Sequence, residues 1–272
     1  MRTRLTGALA ALVLAGAVSG LWWDAGQAPA PPAASLPVPP FPPRIAAGET
    51  YEHCLAVLAD DPDSAKPIAD AWAAAGGGDG AAHCQGLALI ATGRPDLSAE
   101  RLEQLAKTSL APNPARATIF GQAAQARLMG NQADQAYADM TEALALAPYD
   151  TELLVSRAAA SAAREAWSAA IDDLNDALAR DPHRADALVL RAAAWRGRNR
   201  LDLALADADR AIALDPDNPE ALLERGIVRQ RLGDAAGARL DWERARGLAP
   251  NSTTADLAEQ NLALLDAGPN QR

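Results

Sequence analysis

A repeat of 34 residues is the feature that most constrains how this chain folds. From residue 151 onward, three consecutive segments share two apolar helical runs, a short turn and a closing proline. The prolines are Pro182, Pro216 and Pro250, each 34 residues after the last. A segment of this length cannot bury its own apolar face, so neighbouring copies must stack on one another. The period therefore predicts an array of helix hairpins.

Small and large apolar residues also recur at this spacing. Alanine repeats in two columns of the second helical run, at Ala170, Ala204 and Ala238 and at Ala177, Ala211 and Ala245. Small side chains allow two helices to approach closely, while larger ones fill the surrounding space. The predicted fillers are Leu154, Leu188, Leu222, Trp167, Trp195 and Trp242.

This pattern resembles the tetratricopeptide repeat family, whose unit is a helix–turn–helix of 34 residues. The copies also match the family's small residue in the middle of the first helix, at Ala158, Ala192 and Gly226. A fourth copy precedes them and matches through Ala136, Ala143 and Pro148, with a turn that we expect to be one residue longer. The resemblance implies an all-α, right-handed α-solenoid of stacked helix hairpins.

Composition and local patterns extend this organisation to the rest of the chain. Only 4% of residues are aromatic, and alanine and leucine supply most of the apolar content, which favours helices over strands. We predict weaker repeat-like hairpins in residues 49–113, repeats in 114–252, and a capping helix with a tail in 253–272, with Ser252 or Thr253 as the N-cap. Glycines at 76–78 and 80 predict a loose connection between the front hairpins.

An arginine occupies position seven of each clear copy, where the family usually has leucine. Each arginine is followed sixteen residues later by an aspartate, in the pairs Arg157 and Asp173, Arg191 and Asp207, and Arg225 and Asp241. These positions lie at similar heights in an antiparallel hairpin, and a partly buried arginine needs a charged partner. We predict an ion pair inside each repeat. The alternative is that both residues are solvated.

The resemblance also implies a groove lined by the first helices, which in this family usually binds protein segments. The family's ligand-facing positions correspond here to Val155, Val189, Arg196, Leu223, Ile227, Gln230 and Arg231. We expect an extended peptide over the apolar positions, with a carboxylate held by Arg196 and Arg231. The alternative is that these arginines only keep an acidic surface soluble.

The two cysteines, Cys54 and Cys84, lie in the first helices of the two front hairpins, and a histidine precedes each of them. First helices of neighbouring repeats pack side by side, so a disulfide is predicted. Free thiols and a zinc site with His53 and His83 are the alternatives. Adjacent helical residues point about 100° apart, which argues against one metal taking both members of a pair.

The N-terminal residues predict export. Two arginines precede an apolar run over residues 5–23, so residues 1–28 are expected to be a signal peptide or a membrane anchor. Residues 29–48 form a proline-rich linker. The remaining chain is then expected in the periplasm or cell envelope, with membrane contact only through the first segment if it is not cleaved.

The function class follows from these features. A net charge of −10 argues against nucleic-acid binding. No catalytic motif is recognisable, and we expect neither an enzyme nor a bound cofactor or metal. The prediction is an exported scaffold that binds a protein or peptide partner. The alternatives are a membrane-anchored assembly factor of an envelope complex and a metal- or cofactor-handling protein that uses the His-Cys pairs.

Overall fold

A computed structural model describes residues 44–267, so the predicted signal or anchor segment and most of the proline-rich linker lie outside the described residues. The described residues form thirteen α-helices and no strand, which confirms the all-α class. The helices are α1 (Glu49–Asp60), α2 (Pro62–Ala74), α3 (Gly78–Ala91), α4 (Pro95–Thr108), α5 (Asn113–Met129), α6 (Ala133–Leu146), α7 (Thr151–Ala163), α8 (Trp167–Arg180), α9 (Ala185–Gly197), α10 (Leu201–Leu214), α11 (Pro219–Leu232), α12 (Ala235–Leu248) and α13 (Thr253–Ala267). Within residues 44–267, no helix is both long enough and apolar enough to cross a membrane.

The described chain divides into two compact units. The front unit, residues 44–160, contains α1 to α6 and most of α7. The rear unit, residues 161–267, contains the end of α7 and α8 to α13. Antiparallel helix hairpins that pack against their neighbours build each unit.

The repeat register extends to the fourth copy without an insertion. The second helices α6, α8, α10 and α12 begin at residues 133, 167, 201 and 235, which are 34 apart. The turn before each has one residue with a positive φ, at Asn131, Glu165, Asn199 and Gly233. The expectation of a longer turn in the fourth copy is therefore wrong, because the ends of α5 and α7 are also 34 residues apart.

The glycines of the front unit form a close contact instead of a loose connection. A Cβ atom at Gly77 would lie 2.5 Å from the Trp72 indole nitrogen, and one at Gly80 would lie 2.7 Å from the same ring. Gly76 and Gly78 have positive φ values of 85° and 56°, a conformation that favours glycine. These residues therefore allow the chain to turn against the face of Trp72.

The rear unit is packed around the alanine columns that the sequence predicts. All six of those alanines are fully buried. Trp242 is also fully buried, and its indole N–H donates to the carbonyl oxygen of Leu223 at 3.2 Å. A Cβ atom at Gly226 would lie 2.4 Å from the Trp242 indole nitrogen, which explains the small residue at that position. Trp167 and Trp195 are only half-buried.

Helix α13 covers the Trp242 cluster. Of the two residues predicted as its N-cap, Ser252 has this role, because the Ser252 hydroxyl accepts from the Ala255 N–H at 3.1 Å. Leu257 and Leu262 of α13 belong to the same buried cluster as Trp242. This packing is what a capping helix provides for the last repeat of an array.

Candidate functional site

The arginine at position seven is held by two hydrogen bonds to the aspartate of its own hairpin. Arg191 Nε and Nη2 donate to the two carboxylate oxygens of Asp207 at 2.7 and 2.8 Å. Arg225 does the same with Asp241 at 2.9 and 2.7 Å. Both aspartates are buried. The structure therefore brings these two predicted pairs together, with the bidentate geometry that arginine and carboxylate prefer.

The same arginines also reach the preceding repeat, a contact that was not predicted from the sequence. Arg191 Nη1 donates to Asn175 Oδ1 at 2.8 Å, and Arg225 Nη1 donates to Asp209 Oδ1 at 2.9 Å. The hydrogen bond to Asp241 is the largest cause that raises the pKa of Arg225. Each guanidinium thus joins the hairpin of its own repeat to the second helix of the repeat before it.

A second arginine contact between repeats recurs at the ends of these helices. Arg210 Nη2 donates to the Pro182 carbonyl oxygen at 2.7 Å. Arg244 Nη2 donates to the Pro216 carbonyl oxygen at 2.8 Å. Both arginines and both prolines are 34 residues apart. The closing proline of a repeat therefore presents an acceptor to the next second helix.

The remaining predicted pair involves Arg157 and Asp173. The Arg157 guanidinium lies 5.9 Å from the ring centroid of Tyr137, at the distance of a cation–π contact. Asp173 is buried in α8. Their pairing stays a prediction.

The fourth copy uses a different arginine for its buried aspartate. Arg127 Nε donates to Asp139 Oδ2 at 2.6 Å, and the same guanidinium also pairs with Glu103. The aspartate keeps its position in the repeat, while the arginine lies one helical turn later than position seven. Arg229 shows the same spacing in the third clear copy, because its Nη1 donates to Asp241 Oδ2 at 2.8 Å.

The apolar residues of the predicted groove are largely covered. Val155, Val189 and Leu223 are 3%, 1% and 2% exposed. Leu223 belongs to the core cluster around Trp242, so it supports the helix pair from inside. The expectation of an accessible floor at these positions is therefore corrected. Ile227 and Gln230 remain half-buried.

The two groove arginines are bound within the chain. Arg196 Nε and Nη2 donate to the Glu224 carboxylate at 2.6 and 3.2 Å, and Glu224 is fully buried. Glu224 raises the pKa of Arg196 through its charge. Arg231 donates to the Arg196 carbonyl oxygen at 3.0 Å and to Asn199 Oδ1 at 2.7 Å. The carboxylate that Arg196 binds in this structure is thus internal, in place of the expected peptide carboxylate.

The two cysteines form a disulfide between α1 and α3, with their Cα atoms 6.5 Å apart. Both sulfurs are therefore consumed, and they are not available as thiolate ligands for a metal. His53 is exposed, whereas His83 is buried. No cluster of three or more metal-binding side chains occurs within residues 44–267. The alternative of a zinc site with His53 and His83 therefore lacks its two cysteine ligands.

His83 instead forms the centre of a buried polar network beside the disulfide. Its Nε2 lies 2.7 Å from Gln122 Oε1, and its Nδ1 lies 2.6 Å from the Tyr51 hydroxyl. Because Gln122 Oε1 only accepts, Nε2 is the donor and Nδ1 accepts from Tyr51. Burial lowers the pKa of His83 to about 4, and burial also raises the pKa of Tyr51. The ring is thus neutral at pH 7 and joins α1, α3 and α5.

The comparisons with known proteins agree with the helix pairs. The family model described as Tetratricopeptide repeat matches residues 190–263. None of the curated protein sequences matches this chain at a significant level.

Three solved structures show the same fold. A protein from Thermus thermophilus, TTC0263, is 20% identical with a TM-score of 0.57, over 69% of this chain and 98% of that one. MamA from Desulfovibrio magneticus RS-1 is 18% identical with a TM-score of 0.54, over 62% and 94%. A chain of the APC/C hetero-tetramer Cut9–Hcn1 is 14% identical with a TM-score of 0.61, over 78% and 42%.

Proposed function

We propose that this chain, which is a tetratricopeptide repeat protein, is a scaffold that holds a protein partner or a peptide segment of one. The observation that supports this most is the repeated arginine contact of the rear unit. Arg191 and Arg225 each tie one repeat to the one before it. Consecutive repeats joined in this way present their side chains in a fixed arrangement, which lowers the entropy cost of binding.

The proposed binding face lies on the first helices of the rear unit. Its members with exposed surface are Ile227 and Gln230, which are half-buried, and Arg231, which is exposed. Gln230 makes no side-chain hydrogen bond with the described residues, so its amide is available to a partner's backbone. Arg196 supports this face from beneath, through Glu224. Among the structural neighbours, Cut9 is a component of the APC/C hetero-tetramer Cut9–Hcn1, and a role in such an assembly suits a scaffold.

The location and the absence of catalysis belong to the same proposal. The apolar run over residues 5–23 supports export to the periplasm or envelope, either cleaved or retained as an anchor. A disulfide between Cys54 and Cys84 fits an oxidising compartment. We propose a non-enzymatic role. The second candidate, a membrane-anchored assembly factor, has the same binding face with the N-terminal run retained.

Partner capture tests the proposal. The full chain would be used to isolate partners from envelope extracts, beside a Gln230→Ala, Arg231→Ala variant. Glu243→Ala, an exposed change on α12, is the matched control. We expect the double variant to lose the captured protein while the control retains it, at equal helical content. Equal capture by all three proteins would contradict the proposed face.

A further inference from the structure

A second candidate surface lies on the front unit, and none of its lining residues belongs to the proposed groove. A cleft of about 710 Å³ runs between α2 and α4, with α3 as its floor. Its floor includes Ala82, Gln85 and Leu89, and its α4 wall includes Leu97 and Leu105. Leu97 is 41% exposed. The cleft has the size and partly apolar lining of a ligand-binding site.

An ion pair along α2 neutralises Lys66, one of the cations of the cleft, whereas Arg101 on the opposite wall makes no ion pair. Lys66 Nζ donates to Asp70 at 2.6 Å, and this contact is the largest cause that lowers the pKa of Asp70. Gln85 Nε2 donates to the same carboxylate at 2.7 Å. Arg101 Nη1 donates only to the Gln85 amide oxygen, at 2.6 Å. Arg101 therefore makes no direct ion pair with a carboxylate of the described residues, although its charge also lowers the pKa of Asp70.

Arg94 provides a second unpaired cation on the same wall. It makes no ion pair or side-chain hydrogen bond with residues 44–267, and it is the N-cap residue of α4, at the positive end of the helix dipole. Two acids besides Asp70 line the cleft. Asp79 accepts from the Ser109 hydroxyl at 2.5 Å, while Glu100 on α4 is exposed.

The spacing of the two arginines indicates what would bind them. They are seven residues apart on α4, which corresponds to two turns and about 10.5 Å along the helix axis. In an extended polyproline-like segment, side chains three residues apart lie on the same side and about 9.3 Å apart. Two carboxylates with this spacing would match both guanidinium groups, and an aliphatic side chain of the same segment would contact Leu97, the exposed apolar residue that lies between the two arginines.

We propose that the α2–α4 cleft binds an extended acidic segment of a partner protein, with carboxylates three residues apart and an aliphatic residue between them. This inference deepens the proposed scaffold function and rests on it. It concerns a different surface from the groove of α9 and α11, so each can fail without the other.

Peptide binding to the full chain tests the cleft directly. The probe is a fluorescein-labelled peptide, GLEPLEPG, measured by fluorescence anisotropy at low salt, with GLKPLKPG as the charge control. We expect saturable binding of the acidic peptide with a Kd below about 1 mM, and no saturation by the lysine peptide. Added salt should weaken the binding, because both arginines are exposed.

Three variants distinguish the cleft from other surfaces. Arg94→Ala with Arg101→Ala should weaken the acidic peptide by about tenfold or more, through loss of two charge-assisted contacts. Glu100→Gln should retain or strengthen it, because it removes a like charge from the same wall. The groove variant Gln230→Ala, Arg231→Ala should bind the peptide as the wild type does. Failure of the acidic peptide to saturate by about 1 mM, or unchanged binding by the arginine double variant, would overturn the proposal.

Discussion

Arg225 joins Asp241 of its own repeat to Asp209 of the preceding repeat through three hydrogen bonds of 2.7 to 2.9 Å. Arg191 makes the equivalent contacts with Asp207 and Asn175. A family position that usually contributes a leucine to the core is thus used here for a polar link between repeats. The link fixes geometry, because a buried ion pair adds little net stability over an apolar contact.

Removing the arginine alone should be costly. We expect Arg191→Leu to lower the free energy of unfolding by about 2–3 kcal/mol, because the buried Asp207 loses its partner. Arg191→Leu combined with Asp207→Leu should recover more than half of that loss. Urea unfolding of the four proteins of this cycle measures the effect. Arg200→Leu, which breaks an exposed pair with Asp202, is the control and should change little.

The stability of the chain should depend on pH, because burial keeps His83 in its neutral form. Its pKa is about 4 in the folded chain and about 6.5 when exposed, so the unfolded state binds the proton first as pH falls. We expect a contribution of about 3 kcal/mol that is present above pH 6.5 and is lost between about pH 6.5 and 4. Burial raises the pKa of Asp139 to about 6, which changes stability in the opposite direction over the same range, so the contribution of His83 is measured as the difference between thermal melts of the wild type and of His83→Gln. His53→Gln should melt as the wild type does at each pH, and a difference between the wild type and His83→Gln that does not change from pH 7 to pH 4 would rule this histidine out.

Replacing Glu165 with glycine should stabilise the chain. It is exposed and has a φ of 59°, while the equivalent turn residues are asparagine or glycine. A residue with a Cβ atom is strained in this conformation. Glu165→Gly should raise the free energy of unfolding by about 0.5–1 kcal/mol in chemical denaturation. The reciprocal change Asn199→Ala should lower it, and a loss of stability in Glu165→Gly would contradict the assignment of strain.

The disulfide should stabilise the front unit. In the chain-entropy model, a loop closed over a separation of 30 residues contributes about 3.5 kcal/mol. Reducing agent is expected to lower the melting temperature of the wild type and to leave a Cys54→Ser, Cys84→Ser variant unchanged. An equal response of both proteins would mean that the bond contributes no stability.

Much of this structure could be predicted because it repeats. The alanine columns, the hairpin order and the pairs Arg191–Asp207 and Arg225–Asp241 share one period with the visible prolines. The contacts of Arg191 to Asn175 and of Arg225 to Asp209 also follow that period, and a search for side chains sixteen residues before each arginine would have found them.

Other features that escaped prediction occur only once among residues 44–267. Glu224 pairs with Arg196 across 28 residues, and His83 reaches Gln122 across 39, with no second copy to indicate either contact. The burial of Val189 and Leu223 escaped for a related reason. A family position indicates which way a side chain generally faces, whereas its exposure depends on the particular neighbours that pack on it.

We expect consecutive repeats of the rear unit to open as one cooperative unit because of their arginine links. Native-state hydrogen exchange of α9 to α12 measures this most directly. We predict that the amides of α9–α10 and α11–α12 exchange with the same opening free energy in the wild type. In Arg225→Leu with Asp241→Leu, which keeps the third hairpin apolar but removes its link to Asp209, the opening free energies of the two hairpins should differ, although Arg196 and Glu224 still join α9 to α11. Separate opening free energies for the two hairpins already in the wild type would contradict the account.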